Sequence, residues 1–364
     1  MKRVLVTAGA RPNFMKAAPL LRAFASSGRS DLDIRLVHTG QHYDAALSRL
    51  LFDDLRMRAP DHTLPAGPGS HAEVTARILM GFEALCVSLR PDAVVVIGDV
   101  NATLACALAA SKLGVPVAHV EAGLRSHDHS MPEEINRIVT DSLSTWLFAT
   151  EPSAMENLAR EGHLARGRAF LVGNTIVDSL VVALDHLRQG RAATAAPASP
   201  YAIATVHRPS NVDSAEVLEG ILDGLGDVAR EWPVILPLHP RTRARIDGFG
   251  LADRLDQPGI LASGPLGYLA FLDLVRGAAL VATDSGGVQE ETTVLGVPCF
   301  TLRANTERPI TIEVGTNQLV PPTRSGIADA FSRLLAGEGK PGRVPDLWDG
   351  HAAERIVARL SEVL

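Results

Sequence analysis

The stretch from Asp92 to Gly123, "DAVVVIGDVNATLACALAASKLGVPVAHVEAG", constrains the fold more than any other. Two apolar runs, each the length of a buried strand, flank an Ala- and Leu-rich segment of helical spacing. Apolar runs without alternation are buried on both faces, and a strand–helix–strand crossover joins parallel neighbours. Pro91 and Pro116 each precede a strand, and Gly114 supplies the helix stop. A parallel pair needs helices over both faces, so the chain must be a layered α/β protein.

The same rhythm runs along the chain. "VLVTAG" precedes a helical pattern through "NFMKAAPLLRAFAS", and "DIRLVHTG", "TWLFATE" and "AFLVGN" continue it. At "RQGRAATAAPASP" the periodicity fails, which reads as a linker or loose loop. A second series follows: "YAIATVHR", "AEVLEGILDGLGDVARE", "PVILPLHP", "GILASGPL", "AALVATDSGG" and "VPCFTL". The expected class is α/β, two Rossmann-like parallel-sheet domains over 1–170 and 171–349 with the site in the cleft between them. The amphipathic end, 350–364, is a helix free to pack back on the first. A length of 364 residues fits two cores.

Composition excludes several classes. With 46% hydrophobic and 21% charged residues the chain reads as a soluble enzyme, and a net charge of −6 without a basic block argues against nucleic-acid or anionic-membrane partners. Cys86, Cys106 and Cys299 are scattered in apolar stretches, which suits buried thiols in a reducing compartment. The apolar run in "MKRVLVTAGAR" is too short for a signal peptide, and none approaches the about 20 residues of a membrane span. A cytoplasmic location is expected.

Ligands of open parallel sheets bind beyond the C-terminal strand ends. Arg11, Gln41, Asp99, Glu121, His207, His239, Asp284 and Ser285 all follow predicted strands. The first turn, "TAGARPNFMK", lacks both G-x-G-x-x-G and G-x-x-x-x-G-K-[ST]; its Arg11 and Lys16 suit a diphosphate. Asp99, Glu121 and Glu133 are carboxylates placed for acid–base work. For Asp99 the alternative is a helix N-cap, a role Asn101 could also fill, and for Glu133 and Glu134 it is first-turn acids favoured by the helix dipole. His207 in "ATVHRPSN" and His239 in "PLHPRTR" offer proton shuttles or phosphate ligands. "TDSGGVQEE" sets Ser285, Gly286 and Gly287 at a helix N-terminus, with Glu291 a turn later. Backbone amides there take phosphate and the glutamate can accept from a ribose diol, so the segment reads as a nucleoside-diphosphate clamp. No spacing suggests a metal site.

In order, "GARPNFMKAAPL", "TGQHYD", "GDVNATLA", "HVEAGLRS", "PEEINR", "VGNTIVD", "HRPSNVD", "LHPRTR", "PLGYLAFL", "TDSGGVQEE" and "RANTERPIT…GTNQLV" resemble the non-hydrolysing UDP-N-acetylglucosamine 2-epimerase family. The resemblance implies a GT-B architecture, no cofactor and a homodimer. It implies reversible interconversion of UDP-GlcNAc and UDP-ManNAc by anti elimination of UDP to 2-acetamidoglucal and re-addition. Asp99, Glu121, Glu133 and His207 fall on the family's catalytic positions. Arg11, Lys16, His239, Ser285, Gly286, Gly287, Glu291 and Arg308 fall on the UDP-sugar side, and Gln41 and His42 match a regulatory site. Ser210 stands where the family often carries a glutamate, and "GPGSHAEVTARIL" departs from the arginine-bearing loop of substrate-activated members. A hydrolysing epimerase, an epimerase of a modified UDP-2-acetamido sugar, a GT-B glycosyltransferase and a UDP-sugar sensor are the alternatives.

Overall fold

The structure, a computed structural model, describes residues 1–40, 52–166, 168–190, 196–197 and 200–364. Its contacts divide the chain into unit 1, Met1–Val182 with Asp346–Leu364, and unit 2, Ala183–Pro345. The division falls at Val182/Ala183 and Pro345/Asp346, not at 170/171 and 349/350. The reason is the helix Thr175–Arg188, whose first half buries Ile176, Val177 and Leu180 in unit 1.

Unit 1 is built on β1 (Lys2–Ala8), β2 (Leu32–His38), β3 (His62–Thr63), β4 (Ala93–Ile97), β5 (Val117–Ala122), β6 (Trp146–Ala149) and β7 (Ala169–Leu171). All pair in parallel in the order β3-β2-β1-β4-β5-β6-β7. This is the doubly wound order, with its switch point between β1 and β4, where a ligand crevice forms. The "AVVVI" of β4 is buried throughout, as its lack of alternation requires. Helices His71–Leu89 and Asn101–Lys112 cover one face, packing Ile78, Phe82, Ala105 and Cys106 on Leu5, Val94 and Val96. All three cysteines are buried and free, and burial pushes the Cys86 and Cys299 thiols up to about 12.

The helix Ala352–Val363 returns to unit 1 and packs against the helix Arg11–Ser26, burying Ile356, Val357 and Leu360. Its N-terminus has no cap of its own; Asp178 accepts from the Ala352 and Ala353 amides at 3.1 and 2.6 Å. Trp348 donates its indole N–H to the Thr150 carbonyl at 3.1 Å. Asp178→Ala should therefore cost about 1.5–3 kcal/mol, the range for hydrogen bonds to a charged group. Urea denaturation checks this, and an unchanged midpoint would deny Asp178 the capping role.

Unit 2 repeats the plan with β8 (Ala202–Thr205), β9 (Val234–Pro237), β10 (Ile260–Ser263), β11 (Leu280–Thr283), β12 (Cys299–Thr301) and β13 (Asn317–Leu319). Their parallel order is β10-β9-β8-β11-β12-β13, with the switch point between β8 and β11. Helices Ala215–Ala229 and Arg324–Leu335 set Ile221, Leu225, Ile327 and Phe331 in the core over β8 and β11. Among the described residues no helix is long and apolar enough to cross a membrane.

Candidate active site

In unit 1 the polar residues gather where β4 and β5 end. β4 turns at Gly98, φ +69°, where an added Cβ would lie 3.2 Å from Asn13 Nδ2, 3.5 Å from Lys16 Nζ and 3.7 Å from Glu121 Oε2. Only a residue without a side chain lets these groups close around the turn. Asn13 fixes the approach by donating to the Ile97 carbonyl at 2.8 Å.

Asp99 follows that turn and accepts from Arg137 Nη1 at 2.5 Å. It is not the N-cap of the helix Asn101–Lys112, and neither is Asn101. Val100 occupies that place without a side-chain bond, and Asn101 is the first helical residue. Asp99 is instead paired with a cation, Arg137. Arg137 is itself fully buried and also donates to Glu134 through Nε at 3.0 Å and Nη2 at 2.5 Å. Glu134 accepts in addition from the Ser126 and His127 amides, both at 2.9 Å. Burial would push the Glu134 carboxyl up, but these amides and Arg137 hold it below the usual range. Thus Glu134, read from sequence as a first-turn acid, ties the loop after β5 to the helix Pro132–Leu143. Glu133, its neighbour, is half-buried, with no hydrogen bond or ion pair among the described residues.

Glu121 sits in β5 with φ +76°, where the pairing with β6 shifts register between Val120 and Ala122. A left-handed conformation costs a side-chain-bearing residue about 1–2 kcal/mol, so the bulge needs outside support. Its carboxylate meets Lys16 Nζ in an ion pair buried on both sides. Lys16, read from sequence as a diphosphate cation, thus neutralises an acid in this structure. Arg11 opens its helix exposed and unpaired among the described residues. Gln41 and His42 fall outside the described residues.

In unit 2 the site collects at the β8/β11 switch point. Asp284 is completely buried after β11 and accepts from the His207 amide at 3.0 Å, the Arg208 amide at 2.9 Å and Asn211 Nδ2 at 3.0 Å. Its other oxygen lies 3.0 Å from His207 Nδ1. Burial would raise the Asp284 carboxyl, but these bonds and the His207 charge hold it below the usual range. Nδ1 donates to that oxygen, which orients the half-exposed ring and directs Nε2 away from Asp284. The His239 ring lies 5.7 Å from that of His207. Its Nδ1 caps the helix Pro240–Phe249 by accepting from the Arg241 amide at 3.2 Å.

Ser285 is the N-cap of the helix Gly286–Leu295, but its own amide donates to Thr283 Oγ1 at 3.0 Å. The expectation of three amides for a phosphate is therefore reduced to those of Gly286 and Gly287, first-turn donors without intrahelical acceptors. A Cβ at Gly286 would stand 2.5 Å from Arg308 Nη1 and 2.8 Å from its Cζ, so a guanidinium lies directly over this helix start. Arg308 is held there by Glu290, 2.7 Å from Nε, and by Glu307. Glu291 is buried in the same helix.

Sequence reading did not single out Glu307, which faces Arg308, Arg303 at 2.7 Å and Arg208 at 3.2 Å. Burial would raise this carboxyl, but the three arginines hold it well below the usual range. The run "RANTERP" carried the signal, an acid with an arginine four before and one after it. Asp99, His207 and Asp284 were legible as residues, but not Arg137, which holds Asp99, nor the pairing of Asp284 with His207.

The two Rossmann-like units, one presenting cation-paired carboxylates and the other a helix terminus under a guanidinium, define an α/β enzyme scaffold for an anionic, nucleotide-type ligand. The sequence model described as UDP-N-acetylglucosamine 2-epimerase matches residues 25–361, and the chain belongs to that family. A UDP-N-acetylglucosamine 2-epimerase of Methanocaldococcus jannaschii is 41% identical over 367 residues, 99% of each chain. The crystal structure of the M. jannaschii UDP-GlcNAc 2-epimerase in complex with UDP-GlcNAc and UDP is similar with a TM-score of 0.88 at 40% identity, covering 100% of both chains. A UDP-2,3-diacetamido-2,3-dideoxy-D-glucuronate 2-epimerase of Pseudomonas aeruginosa is 40% identical over 363 residues, 99% of this chain and 100% of the other.

Proposed function

We propose that the chain interconverts UDP-GlcNAc and UDP-ManNAc. The observation that carries this reading is the set of carboxylates at the β4 and β5 ends, Asp99 on Arg137 and Glu121 on Lys16, with Glu133 on the helix that supplies Arg137. The hydrogen at C2 of the sugar is not acidified by a carbonyl, so deprotonation is coupled to departure of the diphosphate from C1. A base takes the C2 proton while the C1–O bond to the β-phosphate breaks, leaving a C1=C2 double bond. UDP then returns to C1 as an acid protonates C2 on the opposite face. In this reading Asp99, Glu121 and Glu133 supply acid and base. His207, oriented by Asp284, and Arg308 with the Gly286 and Gly287 amides stabilise the leaving diphosphate. Arg11, His239, Ser285 and Glu291 complete the UDP-sugar contacts. No cofactor enters the scheme, and the chain acts as a cytoplasmic homodimer.

The second reading keeps the chemistry and changes the sugar to UDP-2,3-diacetamido-2,3-dideoxy-D-glucuronate, on the 40% identity to that epimerase. Proton NMR in D2O with each UDP-sugar decides. The C2 epimer carrying deuterium at C2 identifies the substrate. Free UDP with the unlinked 2-epimeric sugar as main products means hydrolysis, and an unchanged spectrum with both sugars rejects the proposal.

A further inference from the structure

Two residues on either side of Glu121 are tied to one buried carboxylate. Asp141, on the helix Pro132–Leu143, takes His119 Nδ1 at 2.6 Å on one oxygen. Its other oxygen accepts from the Gly123 amide at 3.0 Å and from Arg125 Nη2 at 2.7 Å. Arg125 is held in turn by Glu161 at 2.6 Å. His119 Nε2 lies 2.9 Å from the Gly98 carbonyl, the residue before Asp99. His119 and Asp141 are completely buried. A carbonyl cannot donate, so the Nε2 side of the ring supplies the proton to Gly98, while Nδ1 lies against the carboxylate. Burial would push the Asp141 carboxyl up, but the charges of His119 and Arg125 keep it low.

We propose that the buried His119–Asp141 pair is the positioning device of the site, holding the left-handed Glu121 bulge from both sides and tying it to the turn that carries Asp99. The pair joins β5, the β4 turn and the helix bearing Glu133, the elements of all three candidate carboxylates. The strained φ of Glu121 then has its support: position 119 is held through its ring and position 123 through its amide. Loss of either bond lets β5 relax towards regular pairing and swings Glu121 off its aim. Its catalytic consequence rests on the epimerase reading above; its structural content does not.

The test uses the full chain with His119→Gln and Asp141→Asn. In histidine-labelled wild type, 15N NMR should show one side chain with its Nε2–H in slow exchange, absent from His119→Gln. The absence of any protected histidine ring N–H overturns the proposal. Hydrogen exchange in either variant should accelerate across 119–125 while the strand cores of unit 1 keep wild-type protection. Acceleration throughout unit 1, or none, means a merely structural pair and overturns it. On whichever sugar the wild type turns over, kcat should fall about 100-fold with KM unchanged, the cost of an ångström-scale misplacement. In the Glu121→Gln background, Asp141→Asn should add little, because the pair acts through Glu121. A full, additive loss overturns it. If the wild type turns over neither sugar, the functional reading fails and the NMR and exchange results alone decide this proposal.

Discussion

Glu121→Gln is expected to lower kcat by ~10²–10⁴-fold, the contribution of a positioned proton-transfer group, while UDP affinity stays unchanged. The substitution keeps the shape of the side chain and an oxygen for Lys16, so the bulge at φ +76° has no new steric reason to move. What it removes is the charge and the proton site. Lys16 is buried and loses its counter-charge, so part of the loss comes from an ammonium left without its partner. Steady-state turnover of the UDP-sugar with calorimetric titration of UDP separates the two effects. Wild-type turnover would remove Glu121 from the chemistry; lost UDP affinity with intact turnover would make it a binding residue.

The fold was legible because its strands are buried on both faces. A run such as "AVVVI" has one interpretation once a helix and another such run follow it. The parallel sheets and two-unit composition follow from that repetition. Less legible was the edge strand His62–Thr63, which is two residues long and carries no apolar signature. The unit boundary also escaped, since a helix continuous from Thr175 to Arg188 leaves no mark in composition where its contacts change sides. At the site, strand-end position showed which residues to consider but not their partners. Asp99 and Arg137 are 38 positions apart and Asp284 and His207 are 77 apart, so each pairing depends on which strands become neighbours. Local pattern identifies Asp99 as an acid before a helix; only the fold supplies the arginine that pairs with it.

Glu307→Gln should be the most destabilising conservative change in unit 2, by about 3–5 kcal/mol, the cost of removing one partner from a buried ionic group. Arg308, Arg303 and Arg208 converge on this carboxylate, and the first two are almost fully buried. A neutral amide leaves their charges facing one another, and Arg308 is the guanidinium that lies over Gly286, so UDP binding should weaken with stability. The pH dependence has a definite sign. The folded carboxyl lies well below the usual glutamate range, so its contribution is present above about pH 4.3, the unfolded value, and is lost as pH falls through the folded one. The gap between wild type and variant in urea denaturation should therefore be widest near neutrality and close in acid. A gap independent of pH would mean that packing, not charge, makes Glu307 important.

The return of the helix Ala352–Val363 to unit 1 has a consequence for synthesis. Residues 183–345 leave the ribosome as one uninterrupted block and can complete their six-stranded sheet as they emerge. Unit 1 at that moment still lacks the Trp348 anchor and the apolar face of Ile356, Val357 and Leu360. Nascent domains usually finish in the order in which they are made. In this chain the half translated earlier completes its core only with a segment, 346–364, made after the whole of the other half.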